Sequence, residues 1–271
     1  MAGVSSQSLA TALKDLETRL PGATLSLAEE LFGVLDMIDS NAGLRRALTD
    51  PSREGKDKAA LVSNLLAGKV SDQTATVVGE LVSMRWAAAR DLGDALETLG
   101  ATAAIAVAEN RGNGAASLES LENDLFDFIR TVDSSHELQR ALSERQASTD
   151  ARVALALKLV PNAGPEAQLL VRQAVQAPRG IKPTHLVKRF VELVAKRHDR
   201  WIANVSVTRP LTDEQYERLQ QGLNSLFGRE LRTDVTVEPS LIGGVRVQVG
   251  DEVVDSTVIA KLSELRRKLA V

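Results

Sequence analysis

Residues 31–99 are written a second time at 125–193. At an offset of 94, 15 of the 69 paired positions are identical, against roughly one in twelve for unrelated text of ordinary composition. Leu31 meets Leu125, Phe32 meets Phe126, Asp39-Ser40 meets Asp133-Ser134, and Leu44 meets Leu138. Arg46-Ala47-Leu48 meets Arg140-Ala141-Leu142, Ala60-Leu61 meets Ala154-Leu155, and Leu65 meets Leu159. Val77/Val171, Arg85/Arg179, Leu92/Leu186 and Leu99/Leu193 follow, with Leu35/Ile129, Ile38/Val132, Lys58/Arg152 and Asp72/Glu166 as conservative pairs. Most matches are apolar, and no catalytic triad or metal set recurs. What was copied is a packing unit, which points to a scaffold.

The periodicity of that unit is helical. Leu9, Leu13, Leu16 and Leu20 step by three or four, and Pro21-Gly22 stops the helix they predict. Leu27, Leu31, Val34, Leu35 and Ile38 predict a second helix, and Asn41 to Leu48 a short third. Asp50-Pro51 reads as a capping Asp with Pro at the first helical position, opening a fourth helix that carries Ala59, Leu61, Leu65 and Leu66 to Gly68. Ser71 opens a fifth with Val77, Val78, Leu81 and Val82 inside. A long Ala-rich sixth helix runs from about Trp86 to Asn110. The second copy repeats the punctuation with other residues: Thr149-Asp150, Gly164-Pro165-Glu166 and Ile181-Lys182-Pro183. The Leu9–Leu20 helix would recur at 103–114, inside the long helix and Arg-Gly-Asn-Gly. Copy two therefore either lacks its first helix or borrows the end of the preceding one.

From Trp201 the period changes to two. Trp201, Ala203, Val205 and Val207 alternate with Ile202, Asn204, Ser206 and Thr208, Leu231, Thr233, Val235 and Val237 alternate with Arg232, Asp234, Thr236 and Glu238, and Val245, Val247 and Val249 give a third strand. Between the first two strands, Thr212-x-x-Gln215 is a capping box for a helix carrying Tyr216, Leu219, Leu223 and Leu226 to Gly228. Ser256 caps a last amphipathic stretch with Val258, Leu262, Leu265 and Leu269. The expected fold is mainly α with a small α+β C-terminal domain. Two tandem helical bundles, 1–110 with six helices and 111–200, are followed by a β-α-β-β-α domain at 201–271.

The rest of the composition removes function classes. There is no Cys, which excludes disulfides, thiolate metal sites and thiol catalysis. Net charge is −3 without a dense basic block, so no nucleic-acid partner is expected. The N-terminus lacks a secretory pattern, and no run approaches the roughly 20 apolar residues of a spanning helix. Membrane association is expected only through partners. His136, His185 and His198 have no i,i+4 partner and predict no metal site. Gly243-Gly244 lacks a phosphate-loop pattern and reads as a bend entering a strand. Asp213-Glu214 and Glu29-Glu30 sit in first helical turns, where the helix dipole favours negative charge. No Ser lies in a G-x-S-x-G elbow. No catalytic residue, cofactor or metal is expected.

One run carries a family likeness. Glu238-Pro-Ser-Leu-Ile-Gly-Gly-Val-Arg-Val-Gln-Val-Gly-Asp251, then Val254-Asp255-Ser256, Lys261-Leu262, Arg266-Arg267 and Leu269, resembles the C-terminal signature of the F-type ATP synthase delta subunit. Its mitochondrial counterpart is the oligomycin-sensitivity-conferring protein. The segments Pro210–Gln215 and Asn41–Ser52 are similar to it too. The resemblance implies a non-catalytic stator component. Its helical domain would grip the N-terminal helix of an alpha subunit on the catalytic head (alpha and beta subunits), and its C-terminal domain would join the b subunits of the peripheral stalk. It would resist rotor torque during proton-driven ATP synthesis, one copy per complex, on the cytoplasmic face of a bacterial cell membrane. The family's groove lies between the first and fifth helices, which here implies Leu9, Leu13 and Leu16 with Val78, Leu81 and Val82. The stripe Val258, Leu262, Leu265 and Leu269 is the expected stalk contact. Members usually carry one bundle; this chain carries two. The rival readings are a helical-repeat adaptor of another complex and an enzyme with a helical lid.

Overall fold

The computed structural model describes residues 3–111, 114–144, 146–228, 231–238, 241, 244–250 and 252–255. Its contacts divide the chain into two compact units, Met1–Val194 and Ala195–Val271.

The first unit is helical throughout. Copy one contains α1 (Val4–Glu17), α2 (Leu25–Ser40), α3 (Ala42–Thr49), α4 (Gly55–Leu66), α5 (Asp72–Ser83) and α6 (Ala89–Arg111). Copy two contains α7 (Ala115–Asp133), α8 (His136–Ser143), α9 (Thr149–Lys158), α10 (Pro165–Gln176) and α11 (Pro183–His198). The starts of α3, α4 and α6 recur 94 residues later at α8, α9 and α11. Caps recur with them. The Asn41 side chain accepts from Leu44 N–H at 2.9 Å, and Ser135 Oγ accepts from Leu138 N–H at 3.3 Å. Each satisfies one of the donors that a helix start leaves without an internal partner.

Two expectations are corrected. The offset does slip: α10 starts 93 residues after α5, and the buried set Thr74, Val77, Val78, Leu81 and Val82 recurs as Ala167, Leu170, Val171, Ala174 and Val175. The pairing Val77/Val171 is thus an accident of text. Asp50-Pro51 does not open α4, whose N-cap is Glu54. Asp50 instead accepts from the Ser52 N–H at 2.9 Å and Ser52 Oγ at 2.6 Å, closing an Asx-type turn. A short side chain can serve a turn or a cap equally well, and here the turn is nearer.

Of the two alternatives left for copy two's first helix, the structure selects borrowing. α6 runs unbroken through 103, and its tail packs on α7 and α10. The α1 carbonyl side ends beside the start of α5, where Gln73 Nε2 donates to the Arg19 carbonyl at 3.2 Å. The α6 tail ends beside the start of α10 in the same way, where Arg111 meets Glu166 at 2.6 Å. α6 is therefore the last helix of one copy and the first of the next. Its buried small residues, Ala95, Gly100, Ala101, Ala103, Ala104, Ala106 and Ala108, let neighbours approach on both sides.

The second unit opens with a 3-10 turn at Asp199–Trp201 and continues through β1 (Ile202–Val207), α12 (Asp213–Phe227), β2 (Arg232–Val237), β3 (Val245–Val249) and β4 (Glu252–Asp255). The sheet order is β2-β1-β3-β4, with β1 parallel to β2 and antiparallel to β3. Alternation places Ala203, Val205, Val207, Val247 and Val249 on one face, where they form a core with Leu223 and Leu231. The capping box is formed: Thr212 and Gln215 each bond the other's backbone N–H. Gly228 at φ +66° ends α12 in the left-handed region, and Gly244 at φ +87° makes the bend before β3. β4 adds a strand to the expected β-α-β-β order. Only two apolar residues, Val253 and Val254, mark it in the sequence.

Candidate functional site

The expected groove residues divide into two kinds. Leu16, Val78, Leu81 and Val82 are buried in the core of copy one, while Leu9 and Leu13 on α1 are half-buried. α1 packs against α5 and α6, so the buried four hold the two groove helices together, and a partner would meet what lies outside them. On α5 that is a row of small side chains: Ala75 and Gly79 are half-buried, and Thr76 and Ser83 are exposed. A Cβ added at Gly79 would meet nothing within 4 Å. At the true offset of 93, α10 carries Gln168, Leu169, Arg172 and Gln176 in those places, and Leu169 is buried. The outer face of α5 thus carries only small side chains, while its α10 counterpart carries longer ones, one of them buried.

The start of α5 is braced by α2. Glu30 on α2 accepts from Ser71 N–H at 3.0 Å, Ser71 Oγ at 2.7 Å and Thr74 Oγ1 at 2.5 Å, tying α2 to the start of α5. Burial pushes the Glu30 carboxyl up, but these three donors outweigh it and leave its pKa below the ordinary value. Copy two uses Asp124 for the same purpose, accepting from Gly164 N–H at 2.9 Å at the start of α10. At the rim, Arg19 on the α1 side pairs with Glu80 of α5 at 2.7 Å. None of these braces was legible beforehand, because Glu29-Glu30 reads in the sequence only as a charged first turn.

A second concave feature lies where the α6 tail meets α7 and α10. It is a cleft of about 270 Å³ lined by Arg111, Ser117, Asp124, Asn162 and Glu166 among others. Its two carboxylates are already engaged, Glu166 by Arg111 and Asp124 by Gly164. Among the described residues no group of three His, Asp or Glu side chains could hold a metal ion. The expected stalk stripe Val258, Leu262, Leu265 and Leu269 lies outside the described residues.

Comparison with known proteins gives the family. Residues 100–269 match the family model described as ATP synthase delta (OSCP) subunit. Three relatives named ATP synthase subunit delta come from Pseudarthrobacter chlorophenolicus, Arthrobacter sp. and Renibacterium salmoninarum. They are 64%, 61% and 60% identical, and each match covers all of both chains. The chain belongs to the ATP synthase delta (OSCP) subunit family. The expected family is thereby borne out, and so is the expected fold class of a mainly helical chain with a small mixed α and β domain. These relatives match through both helical copies. The family model itself begins at residue 100, within α6, and so covers copy two with its borrowed first helix and then the sheet domain.

Proposed function

We propose that this delta-family subunit is a non-catalytic stator joint. Copy one grips the N-terminal helix of an alpha subunit on the catalytic head, and the C-terminal domain joins the b subunits of the peripheral stalk. Copy two spaces the two and stiffens the connection. The joint resists rotor torque while the enzyme makes ATP, and one copy serves each complex. It sits on the cytoplasmic face of a bacterial cell membrane through its partners. Among the described residues no helix is long and apolar enough to cross a membrane.

The observations that carry the reading are the half-buried Leu9 and Leu13 of α1 and the small outward side chains of α5. An amphipathic helix docks by laying apolar side chains against a surface that offers room for them, and small residues at 75, 79 and 83 leave α5 approachable. In copy two the corresponding face of α10 carries long side chains, Gln168, Leu169, Arg172 and Gln176. A second reading draws on the family match at 100–269: the head helix would then sit at the α6-tail and α10 seam, where the cleft lies.

The test uses the full chain and a peptide copying the alpha-subunit N-terminus, read by calorimetry. Gly79→Arg puts on α5 the residue type that copy two has at Arg172, at a position where a Cβ meets nothing. Binding should fall at least about tenfold, equal to roughly 1.4 kcal/mol. Undiminished binding in Gly79→Arg, with loss in Arg172→Asp, moves the head helix to copy two. Leu13→Asp should weaken coupling of ATP hydrolysis to proton pumping in membranes carrying the whole enzyme, and full coupling would refute the copy-one groove.

A further inference from the structure

The repeat pairs Asp39 with Asp133 and Asp94 with Lys188. In copy two those positions form an ion pair of their own: Lys188 Nζ lies 3.4 Å from Asp133. In copy one both are aspartates, on α2 and α6, and neither can neutralise the other. Copy one offers each only a looser partner, Arg45 at 3.7 Å from Asp39 and Arg90 at 3.6 Å from Asp94, and the cation that bridges the two comes from the other copy. Arg179, in the α10–α11 loop, places Nε 2.7 Å from Asp39 and Nη1 2.7 Å from Asp94. Its side chain is only 11% exposed. The same residue exchanges hydrogen bonds with α6: its Nη2 donates to the Arg90 carbonyl at 3.3 Å, and Arg90 Nη2 donates to the Arg179 carbonyl at 3.3 Å.

Three further features serve this contact. Arg179 is held at φ +48°, the one non-glycine residue in that region among those described, and the side chain reaches its targets from that backbone. Gly93 lies beneath the guanidinium, and a Cβ there would collide with it; copy two has Val187 at the matching place. The loop 177–182 that carries Arg179 is one residue longer than its counterpart 84–88, which restores the offset lost before α10. Arg85, the textual twin of Arg179, is exposed.

We infer that Arg179 is a latch that sets the angle between the two bundles. Copy two is tied to α6 by polar contacts at two places, Asp94 with Arg90 near its start and Arg111 through Glu166 at its end. At 1.5 Å per residue these ties stand about 26 Å apart along the helix. Two ties that far apart resist rocking in a way that one cannot. Copy one has no cation of its own that bridges Asp39 and Asp94, and the second copy supplies it at closer range than Arg45 or Arg90. The inference stands on contacts inside the chain and does not depend on which partners the bundles hold.

The chain has no cysteine, so spin labels can be placed directly in the full-length protein. Labels at Ser63→Cys on α4 and Ala154→Cys on α9 report the angle between copies. A pair at Ala10→Cys and Ser63→Cys reports copy one alone; all three positions are exposed. Two variants open the latch. Arg179→Asn keeps a residue that tolerates positive φ and removes the guanidinium. Asp94→Lys copies Lys188, giving Asp39 a second partner inside copy one beside Arg45 and repelling Arg179. In both, the distance distribution between copies should broaden, and amide exchange in 177–182 should become about tenfold faster or more, with the copy-one pair unchanged. An inter-copy distribution as narrow as in the unaltered protein overturns the latch. Equal broadening of both pairs also overturns it, because the variant would then have loosened the core. If Arg179→Asn does not fold, Asp94→Lys decides alone. Failure of Asp94→Lys to fold overturns the claim that copy one could close its own pair.

Discussion

Copies one and two share a helix order, a set of caps and the α2 or α7 carboxylate that braces the fifth helix, yet they pack by different means. In copy one, α2 and α6 make the most extensive helix–helix contact of the unit. It depends on Gly100, where a Cβ would come within 2.7 Å of the Phe32 ring. In copy two, Val194 replaces that glycine, and α7 and α11 make no comparable contact among the described residues. The core there is filled by Phe128 and Phe190, where copy one has Val34 and Leu96. Phe126, twin of the buried Phe32, is left 41% exposed. Duplication preserved the scaffold, and each copy then solved its interior separately. Close approach suits glycine and alanine; wider spacing suits phenylalanine.

The largest expected departure concerns Glu97, whose twin is Val191. Glu97 is 6% exposed, and its Oε1 has no hydrogen-bond partner. Burial pushes its pKa up to about 7 from 4.5, against the pull of Arg179 and Arg189 and with the push of Asp94 and Asp39. The native state therefore holds a proton that the unfolded chain releases. Stability contributed this way is complete below pH ~4.5 and is lost as pH rises to about 7, by roughly 3 kcal/mol in all. Glu97→Val should remove that slope and raise stability most above pH 7, read by urea unfolding across pH 4.5–8. An unchanged slope would place the titration elsewhere.

Gly100→Val imports copy two's residue into copy one. It should cost about 1–3 kcal/mol by overpacking against Phe32, although valine is the better helix former. An unaltered melting temperature would mean that the α2–α6 contact yields easily. A smaller effect is expected at the caps. Asn41→Ala and Ser135→Ala should each cost about 1 kcal/mol, and matched losses would sharpen the claim that these starts are equivalent. The least is expected of Lys188→Ala. Its pair with Asp133 is about half exposed on both sides, so a loss under about 0.5 kcal/mol is predicted. A larger loss would mean that copy two's charge pair bears load as copy one's does.

Much of this was legible in the text, for reasons that can be named. Helical stripes such as Leu27, Leu31, Val34, Leu35 and Ile38 announce a buried face because period and burial go together, and all five are buried. Ser71, Pro165 and Thr212 announce helix starts because few residues serve there. Roles that depend on the third dimension were not legible. Leu16, Val78, Leu81 and Val82 look like any amphipathic stripe, and nothing local tells a groove wall from the core beneath it. Arg85 and Arg179 are the same letter in the same register, one in solvent and one in a latch. The slip to 93 hid because valine followed valine at 77 and 78, so a wrong register still scored a match.

The continuity of α6 has a consequence for synthesis. The helices of copy one are closed by α6, so they can pack as soon as that helix has left the ribosome, before Arg179 arrives to bridge Asp39 and Asp94. Copy two has no first helix of its own and must wait for the tail of α6. By then the tail is already held in place by a finished neighbour. The later bundle assembles against a wall built by the earlier one, and the order of translation becomes the order of folding.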